Sequence, residues 1–530
     1  MNNQITRSQF IKTLVAAGVG SSLLGPSLHA KEIGNRQPNE HKDFRDFSIR
    51  GFHVDLRTEV MTIGALKRLA KELAALGINA IVMEYEASFP YKNNITLRNP
   101  SSYKRTDIQD YVSYCSSLGI EVIPLQECLG HVQYILRHNR YADLRINDDI
   151  FSQVDPLNPR TISLFNDLIK DLSSQHSSHY IHVGGDEVRH LTNEKFSSYV
   201  TKNGISRLYT QYMKQICQIV IDLGKTPLLW ADMILKHPEA VEDLPVDKII
   251  FVDWNYGWDI NMFGNIADLQ KKGCTFWGAP ALRSSPDNYF LTRWEKHFNN
   301  LRDYVPYSRK AGYTGMLMTS WSTSGIYGYK REDSHSEILE MFPIRDVYPL
   351  SGFQILIEAY AKAVHSSQPI DPEDFVVDYA QKRYGLSKSG GVKLWDYFKH
   401  TQVQLINGVP ENGISVQQTA DEFRKIKKLV YQLKPARHKE EFEHYRLMAD
   451  IREFYLSVME LESMTDSYQG GTRALEKLRG HLKQLLGLSK DLDKRFIALN
   501  RGYLHEAELE RLNRLRNERL ENIRKKFQSI

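Results

Sequence analysis

Cysteine is scarce in this chain: among 530 residues there are four, Cys115, Cys128, Cys217 and Cys274, and no two form a Cys-x-x-Cys pair. That spacing excludes a zinc ribbon or a dithiol redox motif, and a chain this long does not need disulfides to fold, so buried free thiols are expected. His-x-His and His-Glu-x-x-His clusters are missing as well, which argues against a metal site, and nothing calls for a cofactor. Charge of one sign is also in short supply. The 69 Lys and Arg residues face 64 Asp and Glu and are scattered rather than gathered into a stripe, so nucleic acid is not an expected partner. After residue 30 no apolar run reaches the length a bilayer demands, which leaves no expected membrane span.

The N-terminus does carry a pattern. Arg7 and Lys12 form a charged start, Leu14 to Leu24 an apolar, small-residue core, and Ser27-Leu28-His29-Ala30 a cleavage site. Residues 1–30 therefore read as a signal peptide, and the protein as exported, periplasmic or secreted. Ser8 stands where a twin-arginine signal would have its second arginine.

From about Phe52 to Tyr360 short apolar runs alternate with amphipathic stretches, the pattern of a parallel sheet wrapped by helices. Eight strands are expected: Gly51 to Leu56, Ala80 to Glu84, Glu121 to Leu125, Tyr180 to Gly184, Pro227 to Trp230, Ile249 to Trp254, Cys274 to Trp277 and Gly315 to Ser320. The helix over Thr62 to Leu76 is typical, with Leu66, Leu69, Leu73 and Leu76 at helical spacing and a stop at Gly77. Eight such units in this length suit an α/β fold of the closed (β/α)8 TIM barrel type, over 45–365. A doubly wound open sheet would alternate in the same way, but it would carry a Gly-rich phosphate loop after its first strand, and none is present. From 366 to 530 the chain reads as a C-terminal helical domain, ending in an amphipathic segment with Leu509, Leu512, Leu515, Leu520, Ile523 and Phe527.

In such a barrel the chemistry sits at the C-terminal ends of the strands. The residues there are Asp55 and Arg57, Glu84 and Glu86, Glu127 and His131, Asp186 and Glu187, Asp232, Tyr256, Trp277 and Trp321. The sharpest signal is Tyr180-Ile181-His182-Val183-Gly184-Gly185-Asp186-Glu187, a strand that ends in two glycines and two adjacent acids. Side chains alternate along a strand, so neighbouring carboxylates address one site only where the backbone turns, which the glycines allow. A carboxyl held protonated by a neighbouring charge is the proton donor that glycoside hydrolysis requires. His182, inside the apolar run, reads as a satisfied barrel histidine.

These residues resemble the signature of glycoside hydrolase family 20, the β-N-acetylhexosaminidases. Further stretches resemble its hexosaminidase D branch: Glu84-Tyr85-Glu86-Ala87-Ser88-Phe89-Pro90-Tyr91, Glu121-Val122-Ile123-Pro124-Leu125 with Gly130-His131, Thr226-Pro227-Leu228-Leu229-Trp230 with Asp232, and Thr319-Ser320-Trp321. The resemblance implies exo-hydrolysis of terminal GlcNAc or GalNAc from a glycan by a retaining mechanism, in which the substrate's acetamido oxygen forms an oxazolinium. It implies Glu187 as general acid and base and Asp186 as partner of the acetamido N–H. Arg57, Glu84, His131, Trp230, Asp232, Trp254, Tyr256, Trp277 and Trp321 are the implied substrate-binding residues. The first strand carries its arginine one position away from the family pattern, and Ser322 and Thr323 stand where many members have a sugar-binding Glu. Two other readings compete: a catalytically silent carbohydrate-binding barrel, and a retaining β-glycosidase using two separated carboxylates such as Glu84 and Glu187.

Overall fold

The computed structural model describes residues 47–323, 346–400, 402–406 and 409–528, all within one compact unit; the expected signal peptide lies outside them. All eight strands form. They are β1 (Ile49–Asp55), β2 (Ala80–Glu84), β3 (Glu121–Leu125), β4 (Tyr180–His182), β5 (Thr226–Trp230), β6 (Ile250–Trp254), β7 (Thr275–Ala279) and β9 (Gly315–Ser320). Each pairs in parallel with the next, and β1 pairs with β9 to close the barrel. One strand was not foreseen: β8 (Ala281–Arg283) extends the sheet along the end of β9.

Period-two burial sorts the strand residues. Ala80, Val82, Ile123, Leu125, Leu228, Trp230, Val252, Trp277, Ala279 and Leu317 fill the barrel, while intervening residues such as Ile81, Met83, Val122, Leu229, Phe251 and Met316 pack on the helices. The helices sit where their periodicity puts them. The first, α1 (Ile63–Ala75), is capped by Thr62, whose hydroxyl accepts from Ala65 N–H, and it ends before Gly77 at φ 77°. Further crossover helices include α2 (Arg105–Ser117), α3 (Pro159–Ser173), α4 (Ile205–Asp222), α5 (Ile266–Lys271) and α6 (Trp294–Lys310). After β9 comes α7 (Gln354–His365).

The remainder is helical as expected, with α8 (Pro372–Tyr384), α9 (Lys388–Phe398), α10 (Val416–Gln432), α11 (Lys439–Asp466), α12 (Thr472–Asn500) and α13 (Glu506–Gln528). A two-residue hairpin, Leu405–Ile406 with Val409–Pro410, interrupts it. These helices do not merely cover a flank. Thr62 N–H donates to Tyr503 O, its hydroxyl to Gly502 O, and Arg511 donates to Thr58 O, so the α12–α13 corner is tied to the turn after β1, at the C-terminal end of the barrel strands. Among the described residues no helix is long and apolar enough to cross a membrane, and the four cysteines are buried free thiols.

Candidate active site

The turn after β4 is built from glycines that nothing else can replace. Gly184 and Gly185 have φ of 68° and 91°. A Cβ on Gly184 would lie 1.8 Å from Glu127 Oε2, and one on Gly185 would lie 2.7 Å from Leu229. The turn after β3 leans back on it, because a Cβ on Gly130 would fall 2.8 Å from Asp186 O. Three of the five non-glycine residues with positive φ among the described residues lie here too: Glu86 (42°), His131 (52°) and Glu187 (47°), following β2, β3 and β4. Each left-handed residue costs roughly 1–2 kcal/mol, and such strain persists where surrounding structure over-determines it.

That geometry gathers charge. His131 Nε2 lies 3.4 Å from Asp186 Oδ2 and 3.4 Å from Glu187 Oε2. Burial disfavours its charge, but the two carboxylates and Glu127 outweigh burial and raise the imidazole well above its ordinary value. Glu187 also faces Arg189 at 3.0 Å and donates its backbone N–H to Asp232 Oδ2 at 3.3 Å. Here the expectation of a carboxyl held protonated by its neighbour is overturned. Burial pushes Glu187 up, yet His131 and Arg189 outweigh burial and bring it to about 2.

The carboxyls that do rise are others. Glu127 is buried, accepts from Trp230 Nε1 at 3.4 Å and is raised by burial and then by Asp186. Asp232, fully buried beside Lys236 at 2.9 Å, is raised to about 6 by burial, with Asp186 adding to burial and Lys236 opposing it. Asp186 Oδ1 is buried with no hydrogen-bond partner among the described residues.

At the β1 wall, Arg57 grips Asp55 through Nε (3.0 Å) and Nη2 (2.9 Å) and reaches Glu84 Oε1 at 3.3 Å. Glu84 Oε2 is bound to His53 Nε2 at 2.9 Å. Glu84 is therefore engaged at both oxygens and 1% exposed, so it orients Arg57 instead of touching a sugar, contrary to its expected role. Asp232, fully buried, accepts from the Glu187 backbone N–H through Oδ2, and its Oδ1 has no hydrogen-bond partner among the described residues.

Aromatic rings form the rest. Trp321 donates Nε1–H to Tyr256 Oη at 2.9 Å and packs on His53 at 4.6 Å, near Trp230 at 6.0 Å, with the Arg57 guanidinium 5.1 Å from its ring. Trp254 lies 5.2 Å from Tyr256. Trp258, which the sequence reading passed over, extends the cluster 5.2 Å beyond Tyr256; the alternation Trp254-Asn255-Tyr256-Gly257-Trp258 was its signal. Trp277 does not belong here. It stands in mid-strand, level with Gly315 at the start of β9 and 5.3 Å from Tyr180 at the start of β4, and so plugs the opposite end of the barrel. His182 accepts from Gly184 N–H at Nδ1 (3.0 Å), but its buried Nε2 has no partner among the described residues, so it is only half satisfied.

Residues 47–276 match the family model described as glycosyl hydrolase family 20, catalytic domain. The chain is 26% identical over 319 residues to hexosaminidase D of Homo sapiens, covering 56% of this chain and 63% of that protein. With hexosaminidase D of Bos taurus the identity is 27% over 316 residues, 56% of this chain and 88% of that protein. The solved structure of a β-N-acetylhexosaminidase from Bacteroides fragilis aligns with a TM-score of 0.47 and 18% identity, covering 64% of this chain and 70% of that one.

Proposed function

We propose, from the premise that residues 47–276 are a family 20 glycosyl hydrolase catalytic domain, that this enzyme cleaves β-linked terminal N-acetylhexosamine from glycan ends by a retaining, substrate-assisted mechanism. The observation that carries the reading is the unpartnered Oδ1 of Asp186, buried beside Glu187 at a mouth walled by Trp230, Trp321 and Tyr256. A buried carboxylate oxygen without a donor suits the N–H of a substrate acetamide. Held in this way, the acetamide's carbonyl oxygen attacks the anomeric carbon as the bond to the leaving oxygen breaks, and an oxazolinium forms. Glu187 gives its proton to the leaving oxygen, then takes one from the water that opens the ring, so the enzyme is restored.

Glu187 begins this cycle paired with Arg189, whose side chain is 52% exposed. An incoming glycan displaces that cation, removes part of what holds the acid low, and lets Glu187 take up from water the proton it then gives to the leaving oxygen. His131, charged, stays between the two carboxylates and orients both. Tyr256 hydrogen-bonds the acetamido carbonyl, and Trp254 walls the acetamido pocket. The residue 1–30 pattern supports export, which N-terminal sequencing of protein from a periplasmic fraction tests.

The test of the reaction is release of 4-nitrophenol from the β-GlcNAc, β-GalNAc and plain β-galactoside derivatives by wild type and by Glu187→Gln. Turnover of the acetamido sugars alone, lost by about 10²–10⁴ in the variant, is expected. Cleavage of the plain galactoside at a comparable rate overturns the substrate-assisted scheme.

A further inference from the structure

We propose that the enzyme also accepts an N-acetylhexosamine bearing a second, uncharged sugar on its non-reducing side, and that a crevice between the barrel mouth and α13 holds that sugar. The inference rests on the reading above for where the first sugar lies.

The crevice has a volume of about 860 Å³, within the roughly 300–1,000 Å³ of ligand clefts. Arg57, Thr58 and Thr323 form its barrel wall, and α13 supplies Leu515, Glu518 and Asn522 opposite. Its position sets which end of a glycan it meets. Glu187 follows β4, whereas Arg57 follows β1 and Thr323 follows β9, strands that pair with each other. Between β4 and this pair stand β2 and β3 on one side and β5, β6 and β7 on the other, so acid and crevice wall face each other across the mouth. The leaving oxygen, on C1, lies against the acid. In a pyranose C4 is directly across the ring from C1, so the ring turns its C4 edge toward the crevice.

Two buried polar atoms there lack partners. Thr323 Oγ1 and Asp346 Oδ1 line the crevice, their residues are 8% and 1% exposed, and neither atom has a hydrogen-bond partner among the described residues. The other Asp346 oxygen is held by Arg511 at 2.9 Å. An unmade hydrogen bond on a buried group is costly, and a sugar hydroxyl, both donor and acceptor, answers both atoms. Among the described residues the lining carries five acidic and five basic side chains, a balance that fits a neutral sugar better than a sulfated or carboxylated one.

The experiment uses 4-nitrophenyl β-glycosides of GlcNAc and of disaccharides in which that GlcNAc carries a β-galactosyl or β-GlcNAc unit at O3, O4 or O6, with the released sugar identified by mass. Release of an intact disaccharide from at least one is expected. Leu515→Trp, which fills the crevice, should slow that release by about tenfold and Asn522→Ala by about threefold, with GlcNAc glycoside turnover unchanged as the control for folding. Should Leu515→Trp lose both activities, Asn522→Ala decides. Where the GlcNAc glycoside is cleaved, the proposal falls if no disaccharide is released or if both variants slow both substrates alike. If wild type cleaves neither the GlcNAc glycoside nor any disaccharide glycoside, the hydrolase reading has failed, and calorimetry with chitobiose then judges the crevice: binding weakened by Leu515→Trp supports it, and no binding overturns it.

Discussion

The two halves of the barrel mouth are made on different terms. The half after β2, β3 and β4 is carboxylate-rich and strained: Glu86, His131 and Glu187 take left-handed backbone, and their loops interlock through Gly130 and Gly184. The half after β5, β6 and β9 is aromatic, and Trp230, Trp254, Tyr256 and Trp321 all have negative φ. Charge must be aimed to within a fraction of an ångström, and aiming adjacent residues at one point demands unusual backbone. A ring offers a broad face, which ordinary strand ends present well enough.

The comparison breaks most readily at Asp186. Asp186→Asn keeps the shape but loses the charge, and kcat/KM for 4-nitrophenyl β-GlcNAc should fall by about 10²–10³. A loss under tenfold would show that the carboxylate half is not the electrostatic centre. On the aromatic half, Trp321→Ala should lower kcat/KM by about 10–10², whereas Trp277→Phe, at the far end of the barrel, should leave it within about threefold and lower only the unfolding midpoint. Equal activity losses in the two tryptophan variants would erase the distinction between wall and plug.

Arg189→Met sharpens the picture through pH. It removes one of the two cations that hold Glu187 near 2, so the carboxyl rises and keeps its proton to higher pH. The alkaline limb of kcat/KM should move upward by about 0.5–1 unit; a downward shift would mean that another group sets that limb. The smallest effect is on stability. Asp232 is raised to about 6, so the stability it contributes is present below its ordinary value near 3.8 and lost as pH rises through 6. Asp232→Asn should therefore gain about 1–3 kcal/mol over wild type at pH 8 and little at pH 4, read by denaturant titration at both.

Much of this was legible before any coordinates. The strands announced themselves by apolar runs, and β2, β3 and β9 fell where those runs begin and end, because parallel strands buried on both faces leave little ambiguity. The paired acids were legible through Gly184 and Gly185. What escaped depended on depth along the barrel and on neighbours distant in sequence. Trp230 ends its strand and Trp277 stands in mid-strand, yet both face inward, and only the strand stagger tells mouth from floor. Glu84 looked like a hydroxyl reader until His53 and Arg57 were seen to occupy both its oxygens. Glu187 looked like an acid held high by Asp186, but Arg189, two residues on, and His131, from another loop, reverse the balance.

The tie between Thr62 and Gly502 has a consequence in the order of synthesis. Its partners are 440 residues apart, which at 5–20 residues per second separates their appearance on the ribosome by roughly 20–90 s. Over that interval the turn carrying Arg57 and Thr58 lacks the corner that fixes it. A chain being made thus has its Asp186–Glu187 turn well before it has the corner that ties down the turn after β1.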